Sequence, residues 1–122
     1  MLQACALALR TLASLPAADE GEARDLLAFL DLALSEVQES VEATAAAWEK
    51  RDYWLKADRF RAEWRWAGAI ARRLDQALRS ADLGAGLAAA AELASPLSSV
   101  AIPARLSGSR PWEGAWRRWA GS

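Results

Sequence analysis

Histidine is absent from all 122 residues. Without an imidazole the chain cannot run Ser-His hydrolysis or histidine general-base catalysis, and the commonest nitrogen ligand of a zinc site is missing. Carboxylate, lysine and tyrosine chemistry stay open. Cysteine occurs once, at Cys5, so no intramolecular disulfide can form and nothing points to an oxidising compartment. β-Branched aliphatic residues are scarce, with three valines and two isoleucines, and alanine makes up much of the hydrophobic fraction. That composition favours helix almost everywhere. The chain has no Gly-rich phosphate loop, no nucleophile elbow and no metal-ligand cluster. No run approaches the roughly 18 apolar residues of a membrane span. A formal net charge of -1 gives the whole molecule no attraction to nucleic acid or membranes, although it leaves room for a local patch.

A chain of this length is one domain and buries roughly two thirds of its unfolded surface without help from metal or disulfide. Its aromatic and basic residues concentrate in one proline-free stretch, Trp48 to Arg79. There WEKRDYWLKADRFRAEWRWAGAIARRLDQALR holds four of the seven tryptophans and nine of the fifteen basic residues.

The opening MLQACALALRTLASLPAADE has the look of an export signal, but no basic segment or hydrophobic run precedes Cys5, and Arg10 interrupts the apolar segment after it. Leu2, Cys5, Leu9, Leu12 and Leu15 share one helical face, so we expect an amphipathic helix over 2–15 and a cytoplasmic protein. After Pro16, the acids Asp19, Glu20 and Glu22 mark the start of a second helix, expected over 22–49. Its seam is Leu27, Leu30, Leu34, Val37, Val41, Thr44 and Trp48. A second seam runs through Tyr53, Ala57, Phe60, Trp64, Ala67, Ala71, Leu74 and Leu78 on a helix expected over 53–80. Both repeat at spacings of three and four, as helix–helix contacts require.

The five-residue step from Trp48 to Tyr53 puts the two seams out of phase. Either the chain turns near Lys50 to Asp52, or one very long helix carries a stutter there and packs in an oligomer. From Asp19 to Glu49 nine acids face one base; from Lys50 to Ser80 nine bases face four acids. An acidic helix followed by a basic one suits an antiparallel hairpin. A continuous helix from Glu22 to Arg79 would be about 87 Å long at roughly 1.5 Å per residue. The expected fold is therefore an all-α, single-domain bundle built on a hairpin, with Asp52 as the candidate cap of its second helix. Asp82 caps a short helix over 83–94, weakened by Gly84 and Gly86 and ended by Pro96. Pro111 suits the first position of a last helix, 111–119.

The residues offer four kinds of candidate site. On the basic helix a second apolar stripe of Leu55, Ala62, Trp66 and Ile70 is flanked by Arg59 and Arg73, and a third side carries Trp54, Arg61, Arg65, Arg72 and Arg79. A helix with two apolar stripes is covered on both sides or meets another protein. The expected partner surface is Trp54, Arg59, Arg61, Arg65, Trp66 and Arg73, with Trp112, Trp116 and Trp119 of the last helix, and the expected partner is a protein or a second copy. The arginine stripe with Trp54 is also the pattern of a phosphate-binding, base-stacking surface, with salt-bridging to Asp31, Glu42 and Glu49 as the simpler account. The terminal PWEGAWRRW invites membrane contact, against the plainer role of a plug on the bundle. Finally, Glu36, Glu39, Glu49 and Asp52 distantly match the carboxylates of all-α, magnesium-dependent nucleotide hydrolases. That chemistry needs them to converge. No cofactor is expected, and a non-enzymatic role is preferred.

The run WEKRDYWLKADRFRAEWRWA, with the later PWEGAWRRW, resembles segments of a family of small uncharacterised helical proteins of cyanobacteria. The likeness covers the central third of the chain and its tail. It implies a bacterial, cytoplasmic helical protein and assigns no activity or site residue.

Overall fold

The computed structural model describes residues 1–16 and 19–121. Five α-helices run through them: α1 (Leu2–Ala13), α2 (Glu20–Glu49), α3 (Trp54–Arg79), α4 (Leu83–Ala91) and α5 (Ala115–Ala120). Short 3₁₀ turns lie at Glu92–Ala94 and Ala104–Leu106, and no strand occurs among the described residues. The protein is an all-α helical bundle.

The hairpin of α2 and α3 is its frame. α2 begins at Glu20 because the Asp19 carboxylate accepts the Glu22 N–H at 3.2 Å, satisfying a donor that the helix itself leaves open. The chain then reverses at residues 50–53, which excludes one continuous helix. Asp52 does not cap α3. It takes the left-handed conformation, φ 63°, and the turn closes through backbone alone: the Tyr53 N–H reaches the Trp48 carbonyl at 2.9 Å and the Asp52 N–H reaches that of Glu49 at 3.0 Å. This is the paired closure with which helices commonly end, here without the usual glycine. Tyr53 consequently stands outside α3 and is 52% exposed, not part of the seam.

From Ala57 onward the small and aliphatic members of the seam are buried as the spacing requires, whereas Phe60 and Trp64, expected in it, are only half-buried at its outer edge. Ala57, Ala67, Ala71, Leu74 and Leu78 are buried opposite Leu27, Leu30, Leu34 and Val41. The same closure recurs after α3, where Ala81 has φ 53°, its N–H bonds to Leu78 and the Asp82 N–H bonds to Ala77. The Asp82 carboxylate then caps α4 by accepting the Ala85 N–H at 3.0 Å.

The other helix ends differ from expectation for local reasons. α1 stops at Ala13 because Ser14 turns its hydroxyl back onto the carbonyls of Arg10 and Thr11. α4 tightens into a 3₁₀ turn at Glu92, since Pro96 has no N–H to give the Glu92 carbonyl. Pro111 does not open the last helix. Gly114 at φ 75° breaks the path, so the segment from 111 to 114 is a turn and α5 starts at Ala115. Gly86 has a packing reason beside its propensity cost: a β-carbon there would sit 2.8 Å from Leu27 Cδ1, so the glycine lets α4 press against α2.

One core joins α1, α4 and α5 to the hairpin through Cys5, Ala8 and Leu12, through Ala89, Ala90, Leu93 and Leu97, and through Trp112 and Ala115. It involves α2 only as far as Leu34, with Val37 at its edge, and α3 only from Trp66 and Ala67 onward. Beyond that level the hairpin continues as a bare pair of helices, an arm ending at Asp52. Burial pushes the Cys5 thiol up to about 11, which keeps it protonated and unreactive at neutral pH.

Left-handed backbone costs a β-carbon-bearing residue about 1–2 kcal/mol, part of which glycine returns as unfolded-state entropy. Ala81→Gly is therefore expected to stabilise the fold by about 0.5–1 kcal/mol, and Asp52→Gly by less, because Asp tolerates this region better than Ala. Urea unfolding of both variants measures this; a destabilised Ala81→Gly would contradict the strain assigned to that turn.

Candidate functional site on the hairpin arm

Along one face of the arm the large side chains form a continuous strip. Trp48 of α2 meets Phe60 of α3 edge-on, with ring centroids 4.9 Å apart and planes at 68°. Phe60 meets Trp64 at 6.5 Å and 61°, and Trp64 lies 5.7 Å from Trp66. Spacings in this range suit aromatic quadrupoles. Val37 and Val41 extend the strip on the α2 side, where a shallow groove of about 350 Å³ also touches Met1 and Leu2 of the α1 end. Most of these side chains are only half-buried, because no other described helix covers the arm. Lys56 alone lies over Trp48, its ammonium 4.4 Å from the ring centroid.

At the tip, Tyr53, Trp54 and Leu55 are 52, 57 and 63% exposed. The second apolar stripe of α3 is thus divided by depth. Ile70 is buried, Trp66 half-buried against the core, and Ala62 and Leu55 open to solvent.

Two of the four arginines of the stripe, Arg61 and Arg79, are held by carboxylates. Arg61 forks onto two carboxylates of α2, with Nη2 2.8 Å from Glu42 Oε1 and Nη1 2.6 Å from Glu49 Oε2, and Asp58 stands 3.9 Å away. Its hydrogen bonds hold both glutamates below the usual carboxylate range. Arg79 pairs with Asp75 at 2.8 Å and Arg73 with Glu92. Arg59, Arg65 and Arg72 make no ion pair among the described residues and are exposed. Salt-bridging across the hairpin therefore accounts for Arg61 with Glu42 and Glu49, whereas Asp31 is engaged elsewhere.

Asp31 helps hold down the C-terminal segment, whose three tryptophans are attached to the bundle through carboxylates. Trp112, 2% exposed, donates its indole N–H to Glu22 Oε1 at 2.7 Å. The Trp116 backbone N–H, left open at the start of α5, is accepted by Asp25 at 2.9 Å. Trp119 shares its indole N–H between Asp31 at 2.8 Å and Asp75 at 3.2 Å, and its ring stacks on Trp116 at 5.2 Å. Arg110 adds an ion pair to Glu22 at 2.6 Å. Sequence reasoning missed this function of Glu22, Asp25 and Asp31. One signal was available: Asp31 sits one turn after Leu27, beside the seam.

Glu36, Glu39, Glu49 and Asp52 do not come together. Glu49 is bound by Arg61, Asp52 lies in the turn, and Glu36 and Glu39 are exposed beside different grooves, Glu36 next to Val37 and Trp64, Glu39 next to Gln38 and Gly68. Among the described residues no group of three acidic or cysteine side chains is placed to hold a metal ion.

Burial, reinforced by the charge of Asp75, raises the Asp31 carboxyl from 3.8 to about 6 despite the Trp119 bond. A carboxyl that binds its proton more tightly when folded contributes stability at low pH and loses it as pH rises from about 4 to about 6. Asp31→Asn keeps an acceptor for Trp119. It is expected to flatten stability across that window and to gain up to about 3 kcal/mol at pH 7. Urea titrations at pH 4 and 7 decide this: an unchanged pH slope would remove Asp31 as its source. In comparisons with known proteins, no family model, curated protein or solved structure matches the chain.

Proposed function

We propose that the protein is a non-enzymatic binding or assembly protein, and that the arm of the α2–α3 hairpin is its contact surface. One observation carries the reading: Trp48, Phe60 and Trp64 lie in contact ring to ring and stay half-buried, and α1 reaches only the Val37 and Val41 end of their strip, through Met1 and Leu2. An antiparallel pair of helices needs a third layer to bury its outer apolar side, and α1 supplies that layer only as far as its Met1 end. The ligand that fits is a helix of a protein partner or of a second copy, laying an apolar stripe along the strip in line with α1. Aromatic residues packed into such a groove are the usual anchors of helix recognition.

The nucleic-acid alternative has less to draw on, because Arg61 and Arg79 of its stripe are committed to carboxylates. The hydrolase alternative lacks converging carboxylates. A cytoplasmic setting fits a lone thiol held buried and protonated at Cys5. No described helix is long and apolar enough to cross a membrane.

A photo-reactive amino acid at exposed Ser40, on the rim of the strip, tests the reading in the cells that make the protein. The expected result is one discrete adduct, absent when the probe is placed at exposed Ala88, and reduced about tenfold by Trp64→Ser, the size of effect typical of an interface anchor. An adduct of twice the chain mass would identify the partner as a second copy. Equal labelling from Ser40 and Ala88 would end the proposal.

A further inference from the structure

We propose that the tip of the arm, residues 50–59, docks on an anionic lipid surface, a contact adjoining the helix groove along the arm. The tip combines two features. Five large hydrophobic side chains are exposed among the described residues, and three of them, Tyr53, Trp54 and Leu55, are consecutive at this one end. The fold does not require them there. The turn is closed by the backbone bonds of Asp52 and Tyr53, Tyr53 makes no side-chain cap, and none of the three enters the core. Any polar sequence would serve such a turn, so the apolar side chains answer to something outside the chain.

The second feature is charge. Lys50, Arg51, Lys56 and Arg59 surround the aromatic tip, all exposed, and none makes an ion pair among the described residues. Arg61, two residues further on, is by contrast clamped by two glutamates. Against four cations the tip has only Asp52 and Asp58, giving a local charge of +2 in a chain of net -1. The remainder is therefore at -3, so an anionic surface attracts the tip and repels the rest, which orients the molecule end-on.

The two features are arranged as a lipid interface requires. Beside the tip an open depression of about 800 Å³ has Trp48, Trp54, Leu55 and Phe60 as its walls, with Lys56, Arg59, Asp52 and Glu63 around its edge, so the positive excess of the tip comes from Lys50 and Arg51 at the turn. Tryptophan and tyrosine settle at the boundary between headgroups and acyl chains, and lysine and arginine meet the headgroups above them. A convex, projecting end reaches a deformable surface without a complementary pocket.

Flotation of the full chain with vesicles of phosphatidylcholine, alone or with one third phosphatidylserine, tests the assignment. Binding is expected to need phosphatidylserine, to weaken as salt rises well above physiological strength, and to fall about tenfold or more in Lys50→Glu/Arg51→Glu and in Trp54→Ala/Leu55→Ala. Lipids brominated on the acyl chain should quench tryptophan emission in the parent protein and less in Trp54→Ala. Circular dichroism checks that the variants stay folded, as their exposed positions lead us to expect. Absence of phosphatidylserine-dependent flotation overturns the proposal, as does binding unaffected by Trp54→Ala/Leu55→Ala. If the vesicles fail and the tip variants instead abolish the Ser40 adduct, the tip belongs to the protein contact and the lipid assignment is likewise overturned. Vesicle binding by the Trp64→Ser variant keeps the outcome distinct from that of the groove.

Discussion

Two antiparallel helices bury the sides they turn to each other and nothing more, and the rest of the structure depends on how the chain covers their outer faces. α2 has 30 residues and α3 has 26, more length than the remaining elements can sheath. α1, α4, α5 and the segment joining the last two all gather on the half of the hairpin next to Leu26, Leu30 and Leu74. Only there does a three-layer core form. The far half keeps alanine in its seam, at Ala45 and Ala57, where two helices approach closely with little side-chain volume to bury. Its bulky residues stand instead on the outside of the pair. A chain short of covering material thus produces a packed body and a thin aromatic arm.

The arm would be weak if it relied on its seam alone, and Arg61 meets part of that need. One guanidinium bridges Glu42 and Glu49, two turns apart on α2, and so ties α3 to α2 over a length where apolar burial is slight. Arginine suits this because its planar fork serves two carboxylates at once, which lysine's point charge does not. The opposite polarity appears in the body, where α2 carboxylates accept N–H groups from the C-terminal segment. These bonds fix the direction in which three tryptophans dock. With its carboxyl raised only to about 6, Asp31 is nevertheless charged while buried at neutral pH, a local cost that the surrounding core must offset.

Some of this could be read from the residues. Spacings of three and four placed the aliphatic and alanine members of both seams, and the out-of-phase step between Trp48 and Tyr53, together with the change from acidic to basic sequence, located the turn. What the turn did to Tyr53 was hidden: the seam spacing counted Tyr53 as core, and only the left-handed Asp52 moves it outside. The last helix shows a similar limit. Pro111 is a good first helical residue, yet Gly114 three positions later overrides it, since local preference cannot say which of two competing signals tertiary packing will use. The docking of Trp112, Trp116 and Trp119 depends on carboxylates about 90 residues earlier in the chain. No periodicity connects residues so far apart. The open strip was hidden in the same way: Trp48, Phe60 and Trp64 were counted in the two seams, and the surplus of aromatic residues pointed instead to Trp54 and Trp66.

Strip and tip are neighbours, and two side chains belong to both. Trp48 and Phe60 form the end of the strip and also the wall of the depression beside Trp54. Lys56 stands between them, held over the Trp48 ring, where its ammonium hides part of the apolar surface a helix would use. A phosphate near the tip competes with that ring for the same ammonium, and an ion pair with phosphate is the stronger attraction for a lysine. Drawing Lys56 away uncovers Trp48 and lengthens the apolar strip by one ring. Conversely, a helix seated over Trp48 displaces Lys56 toward the tip. On the proposed assignments the two contacts therefore favour each other, and by thermodynamic reciprocity each raises the other's affinity by the same factor. The arm would then hold its partner best where it also touches a surface.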